Sequence, residues 1–135
     1  MESISQPGRL AMHLDPFWTT GGSYWHLPHV APSLFGELKR SELVLFKGDL
    51  NYTKLTCDCQ WETITPFSTA VGPLGEASGI RSLALRTCKA DVVVSLHEGE
   101  DERLRQTHQY RKDIGARKWA WTGIWAVVSF CDGKA

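Results

Sequence analysis

The chain has 135 residues, of which 42% are hydrophobic, and its 15 Lys and Arg balance 15 Asp and Glu. This length allows one domain with one modest core, and the hydrophobic share excludes a disordered chain. Because there is no basic excess, nucleic acid and anionic membrane surfaces are excluded as main partners.

The N-terminal part is aromatic and rich in helix-breaking residues. Residues 1–10 lack the basic start and apolar core of a signal peptide, and no apolar run approaches the ~18 residues that a membrane span requires. We therefore expect a cytoplasmic location, with the nucleus as a second one. Prolines and paired glycines within residues 15–32 forbid a long regular element there. Pro32 suits the first turn of a helix, which we predict over residues 33–40.

The middle of the chain predicts a strand followed by a helix. Residues 43–46 (LVLF) form a continuous apolar run, which is typical of a strand covered on both faces in a parallel sheet. The sequence Lys-Gly-Asp at 47–49 indicates a turn, and a helix is predicted around residues 52–55. Residues 72–79 are predicted to form a loop.

Further strands are predicted over residues 83–86, 92–94 and 125–130. A polar helix is predicted to begin at Glu100 and to end near Arg111 and Lys112, because acidic residues come first and basic residues last. Alternating strands and helices indicate an α/β fold.

The step from strand to helix at residues 43–55 is the first candidate site. Ligands of open α/β sheets bind outside the carboxyl ends of strands. Gly48 would let the backbone approach a ligand, and Lys47 would attract phosphate. Asp49 and Asn51 would hold sugar hydroxyls or a divalent cation. The alternative is a plain turn in which Asp49 caps the helix.

The second candidate is Arg86-Thr87-Cys88-Lys89, at the end of another predicted strand. Arg86 and Lys89 would bind phosphate, the first as a fork and the second as a point charge. The alternative is a pair of surface bases beside a buried strand. Cys88 is disfavoured as a nucleophile because no histidine lies near it in the sequence.

Two other motifs predict little chemistry. Cys57 and Cys59 are too close to close a useful loop, so we expect four reduced cysteines, and their spacing is not that of a zinc ribbon. Pro28 between His26 and His29 prevents the helical spacing of metalloprotease ligands.

KGDLNYTKL at 47–55, followed by RTCK at 86–89, resembles the eukaryotic damage-control phosphatase family. The likeness is to the sugar-phosphate phosphatase branch, which has also been described as an acidic-residue protein carboxyl methyltransferase. It extends over roughly residues 15–131 and includes DPFWTT, VAPSLFGEL and GIWAVVSF. The resemblance implies that residues 15–135 are the C-terminal portion of a three-layer α/β/α Rossmann-like domain. We expect residues 1–14 to be an N-terminal segment outside this resemblance.

The resemblance also implies an activity and a set of site residues. Family members are similar in hydrolysing phosphosugars such as fructose 1-phosphate with manganese, cobalt or nickel. It implies that the substrate contacts Gly48, Asp49, Leu50, Asn51 and Tyr52, and that Lys89 lies at the phosphate side of the subgroup motif Arg86, Thr87, Cys88 and Lys89. The family's metal ligands, an Asp-Asn pair and a further Asp, lie upstream and have no counterpart here. We therefore expect that this chain alone does not hold the metal.

Two departures from the family pattern accompany the match, Thr53 in place of Arg and Ser95 in place of Gly. The leading hypothesis is a partial chain of a metal-dependent sugar-phosphate phosphatase, with compromised activity alone. The alternative is an inactive fragment or pseudoenzyme that still binds sugar phosphates. A carboxyl methyltransferase is third, because Gly72–Gly75 follows no clear strand. If the chain is partial, some of its six Trp would pack against the rest of the protein, and apolar surface would be exposed.

Overall fold

The computed structural model describes residues 12–107 and 117–135. Helices and strands alternate along these residues, which confirms the predicted α/β class. Their order is α1 (Leu27–Val30), α2 (Pro32–Arg40), β1 (Val44–Lys47), α3 (Asp49–Leu55), α4 (Phe67–Ala70), β2 (Arg81–Thr87), α5 (Glu100–Arg105) and β3 (Ala126–Asp132). Short 3-10 helices cover Pro16–Thr19, Tyr24–His26, Gly72–Leu74 and Lys118–Trp121. No helix within the described ranges has the length and apolar character needed to cross a bilayer.

The three strands form one mixed sheet in the order β1-β2-β3. β1 runs parallel to β2, and β3 runs antiparallel to β2. Leu45 lies opposite Leu83, and Leu83 lies opposite Phe130. The carboxyl ends of β1 and β2 therefore meet at one edge of the sheet, beside the first residues of β3.

The irregular N-terminal part belongs to the core on one face of this sheet. The Asp15 side chain accepts a hydrogen bond from the backbone N–H of Phe17 at 2.8 Å and so begins the first 3-10 helix. Phe17, Trp18, Tyr24 and Phe46 form a cluster in which contacting rings lie 5.3 to 6.4 Å apart, a spacing typical of edge-to-face and tilted pairs. Helix α2, the helix predicted over residues 33–40, packs against the same core through Leu34.

The other face of the sheet is open in the described part of the chain. Leu45, Phe130 and Val128 are 53%, 56% and 71% exposed, and Leu83 and Leu85 lie among them half-buried. The expectation that residues 43–46 are covered on both faces is therefore wrong for this structure, because only Phe46 of that run is buried. The predicted exposed apolar surface is present on this face.

The tryptophans, in contrast, are mostly accounted for within the chain. Trp119 is 1% exposed, and the indole N–H groups of Trp25 and Trp61 donate to backbone carbonyls at 3.2 and 2.8 Å. Trp121, at 49% exposed, is the ring that fits the expectation of an external partner. The abundance of tryptophan is thus explained chiefly by the chain's own packing.

Residues 92–94 are buried but do not form the predicted strand. The carbonyl of Val92 accepts from the guanidinium of Arg86, and the N–H of Val94 donates to the Tyr52 hydroxyl at 3.3 Å. These side-chain partners satisfy the backbone polar groups that a neighbouring strand would otherwise satisfy.

Helix α5 is held to the fold by a buried carboxylate. Gly99, with φ of 78°, precedes the helix, and the Asp101 carboxylate accepts hydrogen bonds from Arg105, Arg117 and Trp119 at 2.9 to 3.0 Å. Burial of Asp101 opposes its ionisation, but these donors outweigh burial and hold the pKa of its carboxyl below the usual value. Helix α5 ends at Arg105, with Gln106 as its C-cap, which is earlier than the predicted end near Arg111 and Lys112. Those two residues lie outside the described ones.

Candidate functional site

A cleft of about 430 Å³ lies at the carboxyl ends of β1 and β2 and extends over the first residues of β3. Its polar lining comes from both candidate motifs. Lys47, Gly48 and Asp49 belong to the first, and Arg86, Thr87 and Lys89 belong to the second. The parallel pairing of β1 with β2 brings these two separate segments together, as expected for ligand sites of α/β sheets.

The turn between β1 and α3 depends on Gly48. This residue has φ of 104° and ψ of 160°, a conformation that side-chain-bearing residues rarely adopt. Its N–H donates to the carbonyl of Leu85 at 2.8 Å, and its carbonyl accepts from the N–H of Tyr52 at 3.1 Å. One residue thus ends the strand and starts the helix, directly at the cleft.

Asp49 ties the two motifs to each other. Its Oδ1 atom accepts from Nε of Arg86 at 2.7 Å and from the backbone N–H of Lys89 at 3.2 Å. Asp49 is therefore not the side-chain cap that the alternative interpretation predicted, and Gly48 occupies the cap position without a side-chain bond. Asp49 is a cross-link that fixes the backbone of Lys89 at the cleft.

Among the predicted site residues, Arg86 differs most from its expected position, because its side chain is buried. Its side chain is 0% exposed and donates to Asp49, to the carbonyl of Ala90 at 2.6 Å and to the carbonyl of Val92. The guanidinium also lies 4.5 Å from the centre of the Tyr52 ring. Arg86 is therefore not the surface base of the alternative interpretation, and its donors are occupied by protein acceptors although it lines the cleft. It holds the 89–92 loop in place through its hydrogen bonds to the carbonyls of Ala90 and Val92.

Lys47 and Lys89 supply the positive charge of the cleft. Both side chains are exposed, and neither ammonium group forms an ion pair with a residue of 12–107 or 117–135. Since the carboxylate of Asp49 is paired with Arg86, these two lysines dominate the local charge. The arrangement suits an anionic group of modest size.

The remaining residues of the predicted substrate segment lie elsewhere. Leu50 is 67% exposed, and Tyr52 is 1% exposed, beneath Arg86 and stacked on Phe67. The Asn51 side chain accepts from the Tyr24 hydroxyl at 2.5 Å and donates to the carbonyl of Lys47 at 2.6 Å. Asn51 thus braces the turn and borders a smaller hollow of about 240 Å³ beside β1.

The weaker candidates contribute no chemistry at this cleft. Cys88 is 0% exposed, and burial raises the pKa of its thiol, both of which disfavour a nucleophile. His26 and His29 lie at the second 3-10 helix and in α1, outside the cleft lining.

The donor set of the described residues does not by itself fit a divalent metal. No three His, Cys, Asp or Glu side chains within residues 12–107 and 117–135 lie close enough together to hold one. The carboxylate at the cleft, Asp49, is already paired with a cation.

The two departures from the family pattern have different outcomes. Ser95 has φ of 59°, a left-handed conformation that glycine adopts readily, and its hydroxyl accepts from the N–H of Phe67 at 2.6 Å. The Thr53 hydroxyl is buried without a hydrogen-bond partner among the described residues. The Ser95 loop therefore keeps a glycine-like backbone, whereas Thr53 leaves one polar group unsatisfied.

Sequence reasoning missed two features of the site, the part of β3 that lines the cleft and the inward direction of Arg86. The second had a signal, because Ser82, Ala84 and Arg86 share one side of a strand with period two, and that side is buried. The positive charge of Arg86 obscured it.

An α/β fold with a lysine-lined cleft at the carboxyl ends of parallel strands places this chain in the class of α/β domains whose ligand sites lie at that position. Comparison with known proteins specifies the family. The sequence model of the damage-control phosphatase ARMT1-like domain matches residues 1–104, and the chain belongs to this family.

Individual relatives agree with this assignment. The chain is 35% identical over 129 residues to damage-control phosphatase ARMT1 of Mus musculus, covering 96% of this chain and 27% of that protein. The protein of the same name from Homo sapiens is 41% identical over 103 residues, which cover 76% of this chain and 23% of that protein. The Xenopus laevis protein is 44% identical over 116 residues, which cover 86% and 24%. The chain thus spans about a quarter of the length of these relatives.

Proposed function

We propose that the cleft binds the phosphate group of a small phosphorylated sugar such as fructose 1-phosphate. In this proposal the chain is part of the substrate-binding region of a metal-dependent phosphatase. The observation that carries the proposal is the pair of exposed lysines, Lys47 and Lys89, at a cleft formed by the carboxyl ends of two parallel strands. Membership of the damage-control phosphatase family supports a phosphate monoester as the ligand.

In this proposal each residue of the cleft has a different role in binding. Lys89 neutralises the phosphate as a point charge, and the Asp49 cross-link holds its backbone in place. Gly48 leaves open space over the turn, since a Cβ added there would meet no atom within 4 Å. Tyr52 acts as a positioning residue under Arg86 rather than as a direct contact.

The reaction itself would need a metal that this chain's described residues do not hold. Manganese, cobalt or nickel would supply an activated water and neutralise charge on the phosphate. We propose that its ligands belong to parts of the family protein outside this chain. The contribution of this chain is then binding and orientation of the substrate, with the sugar hydroxyls near Asp49 and with Asn51 bracing the turn.

The binding proposal is tested by titrating fructose 1-phosphate into the purified chain in a calorimeter. Removing the charge with Lys89→Ala should weaken binding about tenfold, because a charge-assisted hydrogen bond contributes roughly 1.5 kcal/mol or more. Lys134→Ala is the matched control, since this exposed lysine follows β3 at the opposite end of the strand from the cleft. Equal affinities for the two variants, or no binding by the unmodified chain, would contradict the proposal.

Catalysis is tested separately from binding. We expect no phosphate release from fructose 1-phosphate by the chain alone with manganese, cobalt or nickel, and manganese-dependent release would refute the partial-chain hypothesis. A protein that only binds sugar phosphates remains the alternative. The methyltransferase alternative has less support, because Gly72–Leu74 follows helix α4 rather than a strand. Binding of adenosylmethionine to the chain would revive it.

A further inference from the structure

The turn Cys57-Asp58-Cys59 lies at the end of α3 opposite the cleft and has no part in the proposed function. It follows α3 directly, and the N–H groups of Cys57 and Asp58 donate to the carbonyls of Lys54 and Thr53 at 3.3 and 2.8 Å. Cys57 and Asp58 have φ of 65° and 50°, and two consecutive left-handed residues other than glycine are uncommon. The chain therefore reverses sharply between the two cysteines.

The reversal brings the Cys59 sulfur back to the backbone of Cys57. Sγ of Cys59 lies 3.3 Å from the carbonyl oxygen of Cys57. Desolvation, with the neighbouring Cys57 and Asp58 adding to the effect, raises the pKa of the Cys59 thiol. Its thiolate is therefore a small fraction near neutral pH but a stronger nucleophile, so the exchange should speed up as the pH rises. The Cys59 sulfur thus lies against the backbone of Cys57, and one residue separates the two cysteines in a tight turn.

Cys57 and Cys59 are more accessible to solvent than the other two cysteines. Cys59 is exposed and Cys57 is half-buried, whereas Cys88 and Cys131 are 0% and 4% exposed. A reagent in solution therefore reaches Cys59 first, with Cys57 beside it as a second thiol. This is the arrangement of an attacking thiol and a resolving thiol.

We propose that Cys57 and Cys59 form a redox-active dithiol that a small-molecule disulfide, such as oxidised glutathione, converts into an intrachain disulfide. The sulfur of Cys59, after losing its proton, attacks one sulfur of the small disulfide, whose S–S bond breaks and releases one thiol. The sulfur of Cys57, also deprotonated, then attacks the mixed disulfide and releases the second thiol. The protein dithiol loses two electrons, and the small disulfide gains them as two thiols.

The position of the pair favours a reversible change over a structural crosslink. A bridge across one intervening residue closes a very short loop, so it removes little entropy from the unfolded chain and stabilises the fold little. An exposed disulfide of this kind is also open to attack by reducing thiols. The bridge would lock the turn that ends α3 without linking distant parts of the fold.

The proposal is tested on the full chain in buffers of oxidised and reduced glutathione. Free thiols are trapped by alkylation, and the intact mass and the disulfide-linked peptides are determined. We expect the oxidised chain to lose two hydrogens and two alkylation sites, with both changes mapped to Cys57 and Cys59. Excess reduced glutathione should restore both sites.

Single substitutions distinguish the intrachain disulfide from other products. Cys57→Ser should stop the reaction at a glutathione adduct on Cys59, and Cys59→Ala should abolish formation of the disulfide. Cys131→Ser is the control and should leave it intact, or Cys88→Ser where the former does not fold. A stable glutathione adduct on the unmodified chain, a disulfide between two chains, a bridge to Cys88 or Cys131, or no reaction would each overturn the proposal.

Discussion

The cross-link between Arg86 and Asp49 predicts a large loss of stability from one substitution, Arg86→Met. The methionine fills much of the same space but removes every hydrogen bond of the guanidinium. It leaves Asp49 and the carbonyls of Ala90 and Val92 without their partner. The 89–92 loop should then lose its support.

The magnitude follows from burial. Breaking a buried ion pair typically costs about 3–5 kcal/mol, because the remaining charge stays desolvated. The Arg86 side chain is 0% exposed but that of Asp49 is 21% exposed, so Asp49 can regain some water. We therefore expect Arg86→Met to lower the free energy of unfolding by about 3 kcal/mol, at the low end of that range.

Arg81 provides a matched control on the same strand. Its Nε atom pairs with Oδ1 of Asp132 at 3.1 Å, but the two side chains are 37% and 39% exposed. Arg81→Met should therefore lower the free energy of unfolding far less than Arg86→Met does, because water screens an exposed pair. Urea unfolding followed by tryptophan fluorescence gives both values by linear extrapolation. Equal losses for the two variants would refute the argument that burial makes the Arg86 pair essential.

Three further substitutions test other parts of the account. Gly48→Ala should cost about 1–3 kcal/mol through backbone strain alone, since its Cβ would meet open space, whereas Gly36→Ala within α2 should stabilise the chain by about 1 kcal/mol. Urea unfolding of the two variants checks the opposite signs, and an equal effect would contradict the role given to the Gly48 turn. Asp101 has a lowered pKa in the folded chain, so its contribution is present above its unfolded pKa of about 3.9 and is lost as pH falls through the folded pKa. When the free energy of unfolding is measured from about pH 7 to about pH 3, it should fall less in Asp101→Asn than in the unmodified chain. An equal fall in the two proteins would contradict this.

Local signals in the sequence were enough to predict most elements. Pro32 and the apolar face of residues 33–40 predicted α2, and the apolar runs at 83–86 and 125–130 predicted β2 and β3. The Lys-Gly-Asp turn was predicted as well, because a glycine between a strand and a helix is a local feature. The open face of the sheet was predicted only through the family resemblance.

Features that depend on distant contacts were not predictable in this way. The apolar run 92–94 has the composition of a strand, but its backbone pairs with the side chains of Arg86 and Tyr52. Arg86 carries a charge that suggests a surface position, and Asp49, from the other motif, makes its burial possible. Both errors have one cause, a buried arginine whose partners lie in other segments.

The central claim, that the cleft at the ends of β1 and β2 binds a sugar phosphate, is tested most directly by nuclear magnetic resonance. Fructose 1-phosphate is titrated into the 15N-labelled chain, and the shifts of the backbone amides are mapped on the structure. The account predicts that the largest shifts occur at Gly48, Thr87 and Lys89, which line the cleft. A separate hollow is lined by residues of the N-terminal part, among them Asp15 and Leu34. Shifts confined to that hollow, or no shifts at all, would contradict the account.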